Sequence, residues 1–336
     1  VAGLCDVLWR HQPAHSGAGY ARHATTDRES LADASLRRLH EERQDAGTPR
    51  ISMHWTQYLP GFIRRHMVQL KSTREIKRLR ASADLVGRTL GEIAKHVEPG
   101  ITPKELDTIA EEFIRTHGAE PAFKGHKAGS NVFPATLCVS VNDAVVHGIP
   151  DDTPLRSGDL LSIDCGVVLD GFIGDSAYTF AVGEISEEKK KLCDVTYRGL
   201  HAGIEQAKTG NRIGDIGHAV ESTCSGYGIV KALCGHGVGR SLWEEPQVPN
   251  YGTPGTGRRI KPGLVICIEP MINIGDDEVT TDADGWTVRT ADRTPSAHYE
   301  HMVAVHSDRY EVLSTFDYVE AVRTPPYKPL TVSESA

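Results

Sequence analysis

Five side chains spread along this sequence could together do chemistry that none could do alone: Asp164, Asp175, His236, Glu269 and Glu300. Four carboxylates and one imidazole make an oxygen-rich donor set of the kind that holds two divalent cations. Such a set suits Mn, Fe(II), Co or Zn, and the order of intrinsic affinities does not choose among them. Each acid is embedded in a run that reads as buried strand: Leu160-Leu161-Ser162-Ile163, Ala177-Tyr178-Thr179-Phe180, Leu264-Val265-Ile266-Cys267-Ile268 and Met302-Val303-Ala304-Val305. A single Asp or Glu is more often a solvated or ion-paired acid than a ligand. A carboxylate taken out of water, however, must be paired or bound to metal.

The spacing of the first two acids sharpens this. Asp170-Gly171 is the dipeptide that a two-residue hairpin turn favours, and such a turn sets Leu169 opposite Phe172 and Asp164 opposite Ala177. Asp175 then lies on the same face as Asp164 and diagonal to it, at roughly 7–8 Å. Two carboxylates so placed can reach inward to share cations about 3.5–4 Å apart, the separation of two-metal hydrolase sites.

The elements that must carry these residues are legible from residue 72 onward. Ser72-x-x-Glu75 is a capping box, and Ile76, Leu79, Ala83, Val86, Leu90, Ile93 and Val97 step by threes and fours, predicting a long amphipathic helix that ends at Glu98-Pro99-Gly100. Thr102-Pro103-Lys104-Glu105 caps a second helix through Leu106, Ile109, Ala110, Phe113 and Ile114, stopped by Gly118. The order recurs. Ser186-Glu187-Glu188 opens a long helix through Leu192, Val195, Leu200, Ile204 and Ala207, broken at Thr209-Gly210. Ile213, Ile216 and Val220 then mark a shorter one before Gly226-Tyr227-Gly228. Long helix, short helix and strands occurring twice predict an α+β fold of two similar halves around one core.

Several motifs in this frame resemble those of the methionine aminopeptidases: Asn142-Asp143-Ala144-Val145-Val146-His147-Gly148-Ile149-Pro150, Asp164-Cys165-Gly166, Gly174-Asp175-Ser176-Ala177, Gly235-His236-Gly237-Val238-Gly239, Ile268-Glu269-Pro270-Met271 and Ser296-Ala297-His298-Tyr299-Glu300-His301. The likeness covers about Met67 to Val322, with the five candidate ligands in the family's order. The short interval from His236 to Glu269 resembles the type I, bacterial-style form. The resemblance implies the pita-bread (creatinase/aminopeptidase) fold with its pseudo-twofold repeat. It also implies two divalent metal ions held by Asp164, Asp175, His236, Glu269 and Glu300, with Asp175 and Glu300 bridging. Glu269 and His147 become the catalytic groups, Glu269 as a proton shuttle and His147 as the substrate-facing histidine. Phe133, Cys138, Leu242 and Trp286 would line a pocket for a methionine side chain, with His147 and Trp243 as further substrate contacts. Singly, an aromatic or Cys in a strand is as often plain core, and a lone loop histidine is commonly a satisfied one.

The chain departs from the family in two places. The family usually carries a second catalytic histidine where Trp243 stands, and an indole has one N–H donor, no acceptor and no titration. Losing one such donor commonly costs 10²–10³ in rate, so reduced turnover or a shifted substrate range is expected. Residues 124–134, with His126 and Asn131, read as a loop over the pocket whose length departs from the family's tighter pattern. The implied function is removal of the N-terminal methionine from nascent proteins and peptides with a small second residue. Rival readings are a proline-specific peptidase such as prolidase or aminopeptidase P, which would carry a folded N-terminal domain, and a non-catalytic binding protein on the same fold, which would account for Trp243.

Composition agrees with a soluble intracellular enzyme, and the resemblance implies a cytoplasmic monomer acting on nascent polypeptide N-termini. The 336 residues, 39% of them hydrophobic, can bury one large core or two. No apolar run approaches the roughly 18 residues that span a bilayer, and no signal-peptide core opens the sequence. A formal charge of −8 gives no electrostatic reason for direct DNA or RNA binding. Seven cysteines without CxxC pairs read as buried reduced thiols. Residues 1–66, rich in Arg and His with little apolar period, read as a disordered leader or an over-long gene model; a ribosome-docking or targeting extension is the sharper alternative. Residues 67–322 are the expected catalytic domain, and 323–336 a flexible tail.

Overall fold

The computed structural model describes residues 68–128 and 131–330. The leader expected over 1–66 lies outside the described residues. Four helices fall where the apolar spacing places them: α1 (Thr73–Ala94), α2 (Pro103–Thr116), α3 (Glu187–Glu205) and α4 (Ile213–Thr223). Both expected capping boxes form. The Ser72 and Thr102 backbone N–H groups donate to Glu75 at 2.9 Å and to Glu105 at 2.8 Å. The first helix ends four residues early, however, at Ala94 instead of reaching Glu98. Val97 is still buried, so the spacing registered burial without helix. At this end the Arg323 guanidinium donates to the carbonyl of Ala94, which the helix end leaves without a partner, and to that of Val97 beyond it.

In the first half, α1 and α2 precede strands β1 (Glu120–Pro121), β2 (Lys127–Ala128), β3 (Asn131–Val132), β4 (Leu137–Val141), β5 (Ala144–Val146), β6 (Leu160–Leu169) and β7 (Phe172–Ala181). β6 pairs with β1, β4 and β7. The β6–β7 hairpin runs in unbroken register from Leu160↔Ala181 to Leu169↔Phe172. Its turn takes the left-handed geometry that an Asp-Gly pair allows, with φ 51° at Asp170 and 72° at Gly171.

In the second half, α3 and α4 precede β8 (Gly228–Ile229), β9 (Cys234–Gly237), β10 (Glu244–Pro249), β11 (Val265–Ile268), β12 (Met271–Asn273), β13 (Val279–Thr281), β14 (Val288–Thr290), β15 (Ser296–His298), β16 (His301–Val305) and β17 (Tyr310–Val312). A five-stranded sheet has the order β10-β9-β11-β16-β17. Long helix, short helix and sheet therefore occur in both halves. One large apolar cluster joins them, with Leu90, Ile163 and Tyr178 from the first half and Leu200, Ile268 and Tyr299 from the second.

Two expectations need correcting. Glu269 and Glu300 are not within strands. β11 pairs with β16 up to Ile268↔His301, and β12 pairs with β15 from Met271↔His298. Glu269-Pro270 and Tyr299-Glu300 form the break between the two ladders. Pro270 has no N–H to give to a ladder, and Glu300 turns instead to β7: its N–H donates to Ala177 O at 2.9 Å and its carbonyl accepts from Ser176 Oγ at 2.6 Å. The second correction is to the flexible tail. Tyr327 is buried and stacks on Tyr197 with ring centroids 3.8 Å apart, so packed structure continues beyond Val322. Residues 331–336 lie outside the described residues.

Candidate metal centre and substrate pocket

The five candidate ligands converge from both halves. Asp164 lies opposite Cys138 of β4 and Ala177 of β7, while Asp175 lies opposite Gly166, one diagonal step away on the same face. His236, on β9, points its Nε2 at this group, 3.7 Å from Asp175 Oδ2 and 3.5 Å from Glu269 Oε1. Its Nδ1 is 2.9 Å from the Gly237 carbonyl. A carbonyl only accepts, so Nδ1 carries the hydrogen and Nε2 is left with a free lone pair, the tautomer that a metal ligand needs. The flanking glycines let neighbouring backbones close on this strand: a Cβ at Gly235 would stand 2.3 Å from Cys267 O, and one at Gly237 2.4 Å from Glu245 O.

Burial dominates the electrostatics. Loss of water pushes Asp164 up to about 7. Asp175, Glu269 and Glu300 are pushed well above the carboxylate range by burial first and then by one another's negative charge. Four acids so close cannot all ionise without a positive charge among them. Asp164 Oδ1, Asp175 Oδ1 and Glu300 Oε1 are buried without a hydrogen-bond partner, which is costly unless a cation meets them. Ligand atoms of Asp175, His236, Cys267 and Glu300 all lie within 4.8 Å of one another. The residues present thus fit divalent metal on the chemistry of their own donor atoms.

Two neighbours were not singled out from the sequence. Cys267 stands two residues before Glu269 on β11, and period-two alternation was the signal that could have placed it on the same face. Burial raises its thiol well above the ordinary range. His298, inside the Ser296–His301 motif, is 1% exposed, and its Nε2 points toward Glu269 Oε2 at 3.9 Å. Nothing in sequence spacing marks it, because the break between β15 and β16 decides which way it faces.

His147 follows β5 in a left-handed conformation, φ 57°. Burial lowers its pKa to about 4, so the ring is a neutral donor near pH 7. Phe133, Cys138, Leu242 and Trp286 all fall in one smaller apolar cluster, with Trp243 packed against it. Phe133 meets Trp286 edge-on at 5.2 Å, and His147 meets Trp286 at 6.5 Å. Residues 124–134 hold the short β2–β3 hairpin, with Gly125 N donating to Phe133 O and Phe133 N to His126 O; positions 129–130 are outside the described residues. The His126 ring packs against Trp243 at 4.3 Å, nearly perpendicular. Glu244, next to Trp243, is anchored by a buried ion pair with Lys71.

Similarity to known proteins follows this geometry. The sequence profile of metallopeptidase family M24 matches residues 77–307. Methionine aminopeptidase 1 of Bacillus subtilis is 45% identical over 250 residues, covering 74% of this chain and 99% of that protein. Methionine aminopeptidase 1 of Mycobacterium tuberculosis is 41% identical over 259 residues, 74% of this chain and 96% of that one. The crystal structure of methionine aminopeptidase from Rickettsia prowazekii superposes with a TM-score of 0.72 at 38% identity, over 74% of this chain and 100% of that chain. Prolidase from Pyrococcus horikoshii shares the fold alone, with a TM-score of 0.60 at 21% identity over 76% of this chain and 64% of that one.

Proposed function

The chain belongs to the methionine aminopeptidases of metallopeptidase family M24, and from that premise we propose that it removes the N-terminal methionine from nascent proteins and peptides with a small second residue, at a centre of two divalent cations held by Asp164, Asp175, His236, Glu269 and Glu300. The observation that carries this reading is the set of buried carboxylate oxygens without partners on Asp164, Asp175 and Glu300, in a cluster where ligand atoms of Asp175, Glu300 and His236 lie within 4.8 Å of one another. Asp175 and Glu300, with Asp164, His236 and Glu269, are the side chains that would hold the ions.

When bound, the cations lower the pKa of water toward neutrality and polarise a carbonyl oxygen. The chain's own groups do the rest. Glu269 accepts the proton given up by the attacking water and passes it to the leaving amine. His147, neutral because it is buried, donates to the scissile amide and so steadies the charge that develops there. Phe133, Cys138, Leu242 and Trp286 offer aromatic edges and sulfur to an unbranched thioether. Trp243 supplies one N–H and a flat wall in place of an imidazole.

On this reading the catalytic unit is residues 67–322 with the packed segment through Tyr327, and it works in the cytoplasm as a monomer on N-termini presented at the ribosome. Among the described residues no helix is long and apolar enough to cross a membrane. The test is release of the first residue from Met-Ala-Ser and from Ala-Pro-type peptides, with Co, Mn, Fe(II) or Zn added back to metal-free protein. Metal-dependent release from Met-Ala-Ser alone is the expected result. Cleavage of the Ala-Pro type alone would move the chain to the proline-specific peptidases, and no cleavage with metal bound would make it a binding protein.

A further inference from the structure

The cations account for the partnerless carboxylate oxygens, but another buried polar atom at the site is not an oxygen. His298 Nε2 is buried with no hydrogen-bond partner. Its surroundings hold it in place. Thr179 Oγ1 accepts from the His298 N–H at 2.9 Å and donates to the His298 carbonyl at 2.7 Å, which fixes the residue's backbone against β7 from both sides. The ring is 1% exposed, so no water competes for its nitrogen. The acid facing it is Glu269, whose Oε2 lies 3.9 Å from His298 Nε2 while its Oε1 lies 3.5 Å from His236 Nε2. Glu269 is therefore flanked by two imidazoles, one on each oxygen. His298 does not belong to the group of donors within 4.8 Å of one another that a single ion could join.

We propose that His298 is the positioning residue for Glu269: its Nε2–H donates to Glu269 Oε2 and holds that carboxylate with Oε1 turned toward the metal centre. A shift of under about an ångström in the Glu269 side chain closes 3.9 Å to a hydrogen bond, and such contacts are commonly long before substrate and metal are in place. The geometry also explains why the acid at the strand break needs a partner. Asp164 and Asp175 are held by paired strands, whereas Glu269 leaves its strand just before Pro270 and its carbonyl is held by Asn250 Nδ2 at 3.0 Å, which leaves the direction of its carboxylate to the side chains that face it. A partner of this kind typically changes metal affinity or activity by about 10–100-fold when removed.

The proposal rests on the function proposed above, and its test separates the two. His298→Leu removes the donor, and His298→Gln keeps an N–H at similar reach. Each variant is loaded with Co(II) and measured for kcat and KM on Met-Ala-Ser, for Co(II) affinity by calorimetry, and for its visible cobalt absorption. For His298→Leu we expect kcat down about 10–100-fold with KM changed less than threefold, weaker binding of one cobalt equivalent and an altered cobalt spectrum. His298→Gln is expected to restore kcat and cobalt affinity to within about fivefold of the unmodified protein. Unchanged cobalt affinity and spectrum in His298→Leu overturn the proposal, even if kcat/KM falls, because His298 would then touch substrate and not Glu269. A loss that His298→Gln does not restore overturns it as well, since shape and not the donor would be at stake. If the unmodified protein itself binds cobalt but releases no methionine, the functional reading fails, and the cobalt affinity and spectrum still report on the His298–Glu269 contact.

Discussion

The two pairs of acids at this centre are held in opposite ways. Asp164 and Asp175 sit inside an unbroken antiparallel hairpin, where backbone pairing on both strands fixes their positions. Glu269 and Glu300 sit where two ladders are interrupted; the backbone groups of Glu300 bond across to β7, and the Glu269 carbonyl accepts from Asn250 Nδ2. A ladder gives a rigid, close pair of charges suited to gripping cations. A break gives side chains whose direction depends on neighbours, suited to a group that must both bind and move a proton.

The largest expected effects come from swapping charges in the two pairs. Asp175→Asn, in the ladder, removes a carboxylate proposed to serve both cations, so methionine release should fall well beyond the roughly 10²–10³-fold that loss of one hydrogen-bond donor costs, with most divalent binding lost from both positions in calorimetry. Glu269→Gln, at the break, should abolish turnover comparably while retaining more of the binding. Equal loss of metal in both variants would erase the distinction between rigid holder and proton carrier.

The rim follows in size. Trp243→His is expected to raise kcat/KM on Met-Ala-Ser about tenfold, worth roughly 1.4 kcal/mol of transition-state stabilisation, with metal affinity unchanged. The contact with His126 defines the contrary outcome: if the indole is chiefly a wall that holds the rim, the smaller ring leaves a void, and both melting temperature and kcat/KM drop.

A smaller effect concerns the segment after the break, where His301 stands beside His201, ring centroids 6.1 Å apart. Burial lowers His201 to about 4 and His301 to about 3. Folded values below the ordinary value of about 6.5 mean that the unfolded chain takes up the protons first. The stability these rings permit is complete above pH 6.5 and is lost as the pH falls toward 4 and 3. The melting-temperature difference between the protein and His201→Phe should be constant above pH 7 and move in the variant's favour below 6.5; a flat difference down to pH 4 would contradict the burial argument. The smallest effect is Gly171→Ala in the ladder's turn. At φ 72° it should cost about 1 kcal/mol, read as a melting-temperature drop of a few degrees with unaltered metal binding.

The same contrast explains what was legible. Register in a hairpin is arithmetic: Asp170-Gly171 sets the turn, and the diagonal of Asp164 and Asp175 follows from period-two alternation. Capping boxes and apolar spacing located the helices because both signals are local. The end of α1 differs from the spacing because Val97 is buried without being helical, and the partner that meets the Ala94 and Val97 carbonyls, Arg323, lies more than 200 residues away. The strand break at Glu269 and Glu300, the inward direction of His298 and the packing of Tyr327 depend in the same way on partners remote in sequence. Motif order found the glutamates; only the folded chain shows that they share an interruption.

The most direct measurement is a calorimetric titration of metal-free protein with Mn(II) or Co(II), followed by release of methionine from Met-Ala-Ser in the same sample. The account predicts two equivalents bound, with turnover appearing as the centre fills. No bound divalent ion, or turnover unaffected by removing it, would contradict the claim that these five residues hold the metals that do the chemistry.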